Sequence, residues 1–158
     1  MSERDRMRMS EGEVQALLDE CRRAQVATFN SDGSAHLVPL SIMQFNGRLA
    51  FWTDPASQKV KNLQRDPRIT CLIETGNRFD EFRAVQITGR ATVIDDPETS
   101  VRAGETLFAR HNGPLGDDMK AYVAGLAPNR VVIVVEPQRV VSWDHRKLGG
   151  VRVDDIGS

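Results

Sequence analysis

The chain has 158 residues, a length that fits one domain with a hydrophobic core. Its formal net charge of −1 provides no global basic field for nucleic acid, and no apolar run approaches the ~20 residues that span a bilayer. Cys21 and Cys71 stand alone, and no hydrophobic stretch follows the polar N-terminus as it does in a signal peptide. We therefore expect a cytoplasmic protein with packed free cysteines, no nucleic-acid partner and no membrane association.

The N-terminal part of the chain predicts an arm followed by a helix. Residues 1–9 are polar and are expected to form a disordered arm, before a single domain over residues 10–148 and a tail over 149–158. Ser10-Glu11-Gly12-Glu13 matches a capping box, and apolar residues at helical spacing follow it. The pattern therefore predicts an amphipathic helix over Glu11–Arg23.

Six strands and three further helices are predicted beyond this point from alternation, turn residues and capping signals. The strands are Gln25–Asn30, Ala35–Gln44, Arg48–Thr53, Arg68–Glu74, Ala84–Asp95 and Arg130–Trp143. The helices run from Asp54-Pro55 to about Arg65, from Asp96 to about His111, and over Asp117–Leu126. Most connections are too short for parallel crossovers. The fold class is therefore mainly β with flanking α, a small closed antiparallel barrel of six strands.

The last strand is apolar on both faces between Val131 and Val135. This is more apolar surface than one thin core needs. We therefore expect a second copy of the chain to cover the excess, which predicts a twofold homodimer.

The segment Phe51–Leu63 is the most informative stretch for function. It runs from a strand into a helix N-terminus and presents Ser57 and Lys59 there. Free backbone N–H groups, a hydroxyl and an ammonium together bind anions, and phosphate is the natural guest. An ordinary capped surface helix explains the same residues equally well, and Asp54 places an acid nearby. The pattern alone leaves both interpretations open.

No pattern in the sequence predicts a catalytic side chain or a metal site. His36, His111 and His145 are isolated, and no carboxylate pair, nucleophile motif or glycine-rich dinucleotide fingerprint occurs. The segment Trp143–Lys147 is either a polar strand end or a place where Trp143 stacks on a ring. In the second case His145 or Arg146 meets an anionic ligand.

An ordered set of motifs between residues 12 and 148 resembles a known family. The set comprises Ala27-Thr28-Phe29 before Asp32-Gly33, His36-Leu37-Val38-Pro39, Ser57-x-Lys59-x-x-Asn62-Leu63, Asp66-Pro67-Arg68, Val85–Ala91 and Ser142–Lys147. It is similar to the pyridoxamine 5′-phosphate oxidase-like split β-barrel superfamily. Within it, the chain is most similar to the actinobacterial flavin/deazaflavin (F420)-dependent oxidoreductases of the B-type branch. The resemblance implies an FMN-binding-like split β-barrel with short helices.

The resemblance also implies a composite cofactor site. His36, Leu37, Val38 and Pro39 would lie along the isoalloxazine-type ring, with Trp52 and Thr53 at its edge and Ser57, Lys59 and Asn62 at the phosphate. Gln86 and Trp143 would approach from the neighbouring subunit. Lys61, Arg65 or Arg83 would add the positive charge that an acidic cofactor tail requires. Gln58 stands where the oxidase members carry Arg, which argues against FMN.

Three functions follow from these expectations. The first is an F420-binding oxidoreductase that transfers a hydride between reduced deazaflavin and a small organic acceptor. The cofactor carries the hydride, so no catalytic side chain is expected, and Trp143, His145 and Arg146 would shape the substrate pocket. The second is an FMN-binding oxidoreductase or oxidase on the same fold. The third is a non-enzymatic module that stores or sequesters a nucleotide cofactor or haem, and the fold alone does not decide among them.

Overall fold

The structure, a computed structural model, describes residues 1–149 and confirms a mainly β, antiparallel split-barrel class. One sheet has the strand order β2-β1-β5-β6-β7-β4-β3. Its strands are β1 (Arg23–Phe29), β2 (Ala35–Ser41), β3 (Met43–Phe45), β4 (Arg48–Thr53), β5 (Arg68–Thr75), β6 (Arg83–Ile94) and β7 (Val131–Asp144). The helices are α1 (Glu3–Met7), α2 (Glu11–Glu20), α3 (Gln58–Arg65), α4 (Pro97–Asn112) and α5 (Asp117–Leu126). No helix within residues 1–149 is long and apolar enough to cross a membrane.

The predicted strand Ala35–Gln44 is two strands, so the sheet has seven strands rather than six. Ile42 separates β2 from β3; its side chain is 1% exposed, and its N–H donates to the Arg22 carbonyl at 3.0 Å. β2 lies at one end of the strand order and β3 at the other. Because one residue joins the two ends, the sheet has to curl until its edges meet. The sequence hides this break because no turn residue marks it.

The N-terminal segment is ordered where the sequence analysis expects a disordered arm. Residues Glu3–Met7 form α1 behind a Ser2–Asp5 capping box. Met9 is 7% exposed, and its N–H donates to Ser142 Oγ at 3.1 Å. The arm is therefore attached to the last strand. The predicted tail over 149–158 lies outside the described residues except for Gly149.

The interior of the barrel is one apolar cluster. It is built from the inward faces of β1, β4, β5, β6 and β7 together with α2 and α3; its largest fully buried side chains include Phe51, Leu17, Ile69, Ile73 and Ile133. A bulge between Thr88 and Gly89 interrupts the β6–β7 register. A Cβ on Gly89 would lie 2.0 Å from the Glu136 carbonyl oxygen, so this close approach requires glycine.

A second apolar cluster lies on the outside of the sheet under α4. It joins Met43, Phe45, Ala50 and Val132 from the strands to Ala103 and Leu107 from the helix. Helix α4 of the same chain therefore covers the second apolar face of the Val131–Val135 segment. The excess apolar surface that led us to expect a dimer is accounted for within one chain, and dimer formation stays a prediction that needs another surface.

Two glycines test the packing of α4. The Cβ of a Gly104→Ala variant would lie 2.6 Å from Val123 Cγ1 and 2.8 Å from Trp52 Cζ2, whereas nothing lies within 4 Å of the corresponding position at Gly125 in α5. We expect Gly104→Ala to lower the free energy of unfolding by about 1–3 kcal/mol. We expect Gly125→Ala to raise it by about 0.4–1 kcal/mol. Urea unfolding of both variants measures this, and equal effects would contradict the packing described.

Candidate functional site

Helix α3 begins soon after β4, and its first turn lacks a side-chain cap. Ser57 is the N-cap residue, but its hydroxyl donates to the Asp54 carbonyl at 2.8 Å and makes no cap bond. The Asp54 carboxylate accepts from the Ala56 N–H at 2.7 Å and closes the preceding turn. The N–H groups of the first turn have no acceptor inside the helix. They therefore remain available for a ligand.

The other helices of comparable length within residues 1–149 compensate their N-terminal partial charge, and α3 does not. Ser10 caps α2 and Asp96 caps α4, while α5 carries Asp117 and Asp118 in its first turn. Helix α3 has no acid in its first turn and carries Lys59 there instead. A positive helix end with an added ammonium forms a site for an anion such as phosphate.

Lys59 is half-buried, and burial lowers the pKa of its ammonium, although nearby Asp54 acts in the opposite direction. A bound phosphate would favour the charged form and raise this pKa again. Lys61 and Arg65 are exposed and stand four residues apart, so they share one side of α3. The positive charge at the N-terminus of the helix therefore continues along its exposed surface.

Asn62 lies behind this anion site, fully buried in a network within the chain. Its amide nitrogen donates to Thr28 Oγ1 at 3.0 Å and to Asn30 Oδ1 at 2.9 Å, and its oxygen accepts from Gln58 Nε2 at 2.8 Å. Both donor hydrogens of the amide are thus used. Asn62 fixes α3 against β1, a positioning role that differs from the direct phosphate contact implied by the resemblance.

The four residues of β2 that are expected to lie along the cofactor ring are divided between the two faces of the sheet. His36 and Val38 are partly buried, whereas Leu37 and Pro39 are exposed, Leu37 by 63%. Directly opposite residues share a face of a sheet. One row across the outer face therefore consists of Pro39, Gln25, Leu72, Gln86 and Val141. The structure brings Leu37, Pro39 and Gln86 to this outer face, and no residue of the row is buried.

His36 occupies the other face of β2, opposite the buried Thr28. Its Nδ1 atom is buried and has no hydrogen-bond partner among residues 1–149. A buried polar atom without a partner is costly unless a ligand or water supplies one. This atom therefore marks a position where a water molecule or a polar ligand group is expected.

Trp52 and Thr53, predicted at the ring edge, are both engaged in the chain's own packing. Trp52 Nε1 donates to Ser100 Oγ at 2.9 Å, and its ring meets the Phe108 ring edge-on at 6.1 Å. The indole therefore packs under α4. Thr53 follows on the opposite face of β4 and is 7% exposed.

The three residues predicted for the substrate pocket separate in the structure. Trp143 lines a cleft of about 930 Å³. The His145 ring packs against the Phe79 ring at 4.5 Å, and its Nδ1 lies 2.7 Å from the Phe79 carbonyl oxygen. The Arg146 guanidinium donates to the buried Asp144 carboxylate from Nε, at 2.9 and 3.2 Å, and from Nη2, at 2.6 Å, and the Arg146 backbone N–H donates to it at 3.0 Å. His145 and Arg146 do not line the cleft.

Asp144 is the anchor of this last turn of the described chain. Burial opposes its ionisation, but the hydrogen bonds from Arg146 hold the pKa of the carboxyl below its usual range. Arg146 therefore neutralises a buried acid and does not line the cleft beside Trp143.

Sequence reasoning missed the opposite wall of the Trp143 cleft. That wall comes from α1 and the start of α2, including Arg4, Met7 and Val14. The signal was present in the apolar Met7 and Met9 within a polar arm, but five helical residues are too few for a periodic pattern.

The chain matches the family model of pyridoxamine 5′-phosphate oxidase over residues 10–144. It therefore belongs to the pyridoxamine 5′-phosphate oxidase family. A comparison with curated protein sequences yields no match.

Solved structures agree with this assignment. The conserved hypothetical protein Rv2991 from Mycobacterium tuberculosis is 34% identical, with a TM-score of 0.89 over 96% of this chain and 95% of that chain. An F420 reductase is 22% identical, with a TM-score of 0.61 over 80% of this chain and 94% of that chain. The haem storage protein HutZ from Vibrio cholerae is 13% identical, with a TM-score of 0.64 over 85% and 96%. The last two share the fold alone with this chain.

The positioning role of Asn62 is testable by substitution. Asn62→Ala leaves buried polar partners without hydrogen bonds, and we expect the free energy of unfolding to fall by about 1–3 kcal/mol. Asn129→Ala, at an exposed asparagine, is the control and should change it by less than about 0.5 kcal/mol. Chemical unfolding measures both variants. An Asn62→Ala variant as stable as the control would contradict the network.

Proposed function

We propose that this protein is an F420-binding oxidoreductase that transfers a hydride between reduced deazaflavin and a small organic acceptor. The observation that carries the proposal is the uncapped first turn of α3 with the half-buried Lys59 in it. Family membership adds the expectation of a phosphate-bearing cofactor with an isoalloxazine-type ring.

The described residues fit such a group at two places. The N-terminus of α3 and Lys59 would hold a phosphate, with the Ser57 hydroxyl beside them. His36 Nδ1, buried and without a partner in residues 1–149, would meet a polar group of the ring. When bound, a deazaflavin supplies hydride transfer at its own ring. The chain's residues then bind, orient and exclude water, and none needs to act as an acid or base.

Two features favour the deazaflavin over FMN. Gln58 stands where the resemblance implies Arg in the oxidase members. Lys61 and Arg65 extend positive charge along the exposed side of α3, where an acidic tail would require it. FMN remains the alternative cofactor on the same residues. Storage or sequestration of a cofactor or haem is the non-enzymatic alternative. A protein that binds the cofactor but shows no turnover of any acceptor would favour this alternative over both oxidoreductases.

We also propose that the protein works as a homodimer in the cytoplasm. The outer face of β1, β2, β5 and β6, which no helix of residues 1–149 covers, is the surface available for a second copy. Leu37 and Gln86 lie on this face, so a partner packed there would border both cofactor sites. Cys21 and Cys71 are free and buried, in keeping with a reducing compartment.

The cofactor proposal predicts a loss of binding in a Lys59→Ala variant. Removing a charge-assisted hydrogen bond should weaken F420 affinity by roughly 1.5–3 kcal/mol. Lys120→Ala, at an exposed lysine of α5, is the matched control and should bind as the wild type does. Fluorescence titrations with F420 and, separately, with FMN measure this. Tight FMN binding without F420 binding would favour the alternative, and unchanged affinity in Lys59→Ala would remove Lys59 from the site.

The dimer proposal predicts that a charge on the outer face dissociates the protein. Leu37→Arg should give a monomer by light scattering at micromolar concentration, because a buried unpaired charge is costly. Tyr122→Arg is the control, since Tyr122 on α5 is 57% exposed, close to the 63% of Leu37. A wild-type monomer, or dissociation by both substitutions, would contradict this surface.

A further inference from the structure

A cleft lies along the last part of β7. It has a volume of about 930 Å³, within the usual range for small-molecule sites. Its apolar lining includes Met7, Met9, Val14, Val141 and Trp143. The proposed cofactor residues of β2 and α3 are not part of this lining.

The cleft exists because β7 loses one neighbour halfway along its length. Val131–Val134 lie between β4 and β6, but beyond them β7 pairs only with β6. Residues 139–143 are therefore an edge of the described sheet, and α1 and the start of α2 stand opposite this edge. Hydrogen bonds from the Met9 N–H to Ser142 Oγ (3.1 Å) and from Lys147 Nζ to the Arg8 carbonyl (2.8 Å) hold that wall in place.

The charged residues that line the cleft are mostly basic. Arg4, Arg8 and Arg139 line it against one acid, Glu11. The Arg8 guanidinium lies 3.5 Å from the Asp5 carboxylate, but the side chains of Arg4 and Arg139 have no hydrogen bond or ion pair within the part of the chain that the structure describes. The whole chain has a net charge of −1, so this excess of positive charge is local.

We propose that this cleft binds an amphipathic organic anion, with an apolar body and one acidic group. The body lies against Met7, Met9 and the Trp143 ring, because thioether and aromatic groups adapt to flat or extended apolar ligands. The acidic group lies at Arg139 and Arg4. Binding of this anion to the cleft does not depend on the proposed function.

Two dyes with the same aromatic body test the proposal on the full chain without cofactor. 8-Anilinonaphthalene-1-sulfonate carries an acidic group, and N-phenyl-1-naphthylamine does not. We expect saturable, one-site binding of the sulfonate in fluorescence titrations, and weaker binding of the neutral dye. Arg139→Ala should weaken sulfonate binding about two- to fivefold, the scale of an exposed charge pair, and leave the neutral dye unchanged.

Three further variants define the cleft. Met7→Glu places a carboxylate in the apolar wall and should weaken binding of both dyes. Arg23→Ala, at an exposed arginine of β1 outside the cleft, should change neither. Lys59→Ala should bind both dyes normally while losing F420, so a failure of the cofactor proposal remains distinguishable from a failure of this one.

The proposal would be overturned by any of three results: no saturable sulfonate binding to the wild type, equal losses in Arg139→Ala and Arg23→Ala, or an equal loss of both dyes in Arg139→Ala. If a second copy of the chain occupies the cleft, the wild type shows no saturable binding of the sulfonate. Circular dichroism of each variant, unchanged from the wild type, confirms that the dyes report on the folded protein.

Discussion

The single residue between β2 and β3 is the constraint on which the rest of the structure depends. Ile42 joins two strands that pair at opposite ends of the sheet order, so the sheet has to close on itself. Closure gives the barrel an interior filled by one apolar cluster. It also gives the barrel an outer face, whose apolar residues have to be covered by other elements. It also sets the direction of the side chains on β2, with His36 and Leu37 on different faces.

The outer face is divided between two uses. Helix α4 covers the part formed by β4 and the first half of β7. The Trp52 side chain packs against this helix and donates a hydrogen bond to it. Within residues 1–149, no helix covers the part formed by β1, β2, β5 and β6, which carries Leu37 and Gln86. The proposed partner surface therefore uses strands that the described helices leave free.

Much of the fold is predictable because its signals are local. Asn46 and Gly47 both have positive φ angles, 51° and 74°, as the tight hairpin predicted from Asn-Gly requires. The strand Arg48–Thr53 and the helix Asp117–Leu126 have the predicted bounds. The break at Ile42 has no turn residue. The burial of Asn62 and the turn of His145 towards Phe79 depend on contacts between segments 32 to 66 residues apart, which no local pattern encodes.

The glycine bulge in β6 has a consequence for how proteins of this architecture diversify. At Gly89 the β6–β7 register shifts, and beyond it β7 no longer belongs to two pairs of strands. Side chains at 139, 141 and 143 therefore lie outside the packed interior that sets folding stability. Substitutions there carry a smaller structural penalty than substitutions in the core, so the lining of the proposed cleft is free to change while the core remains intact.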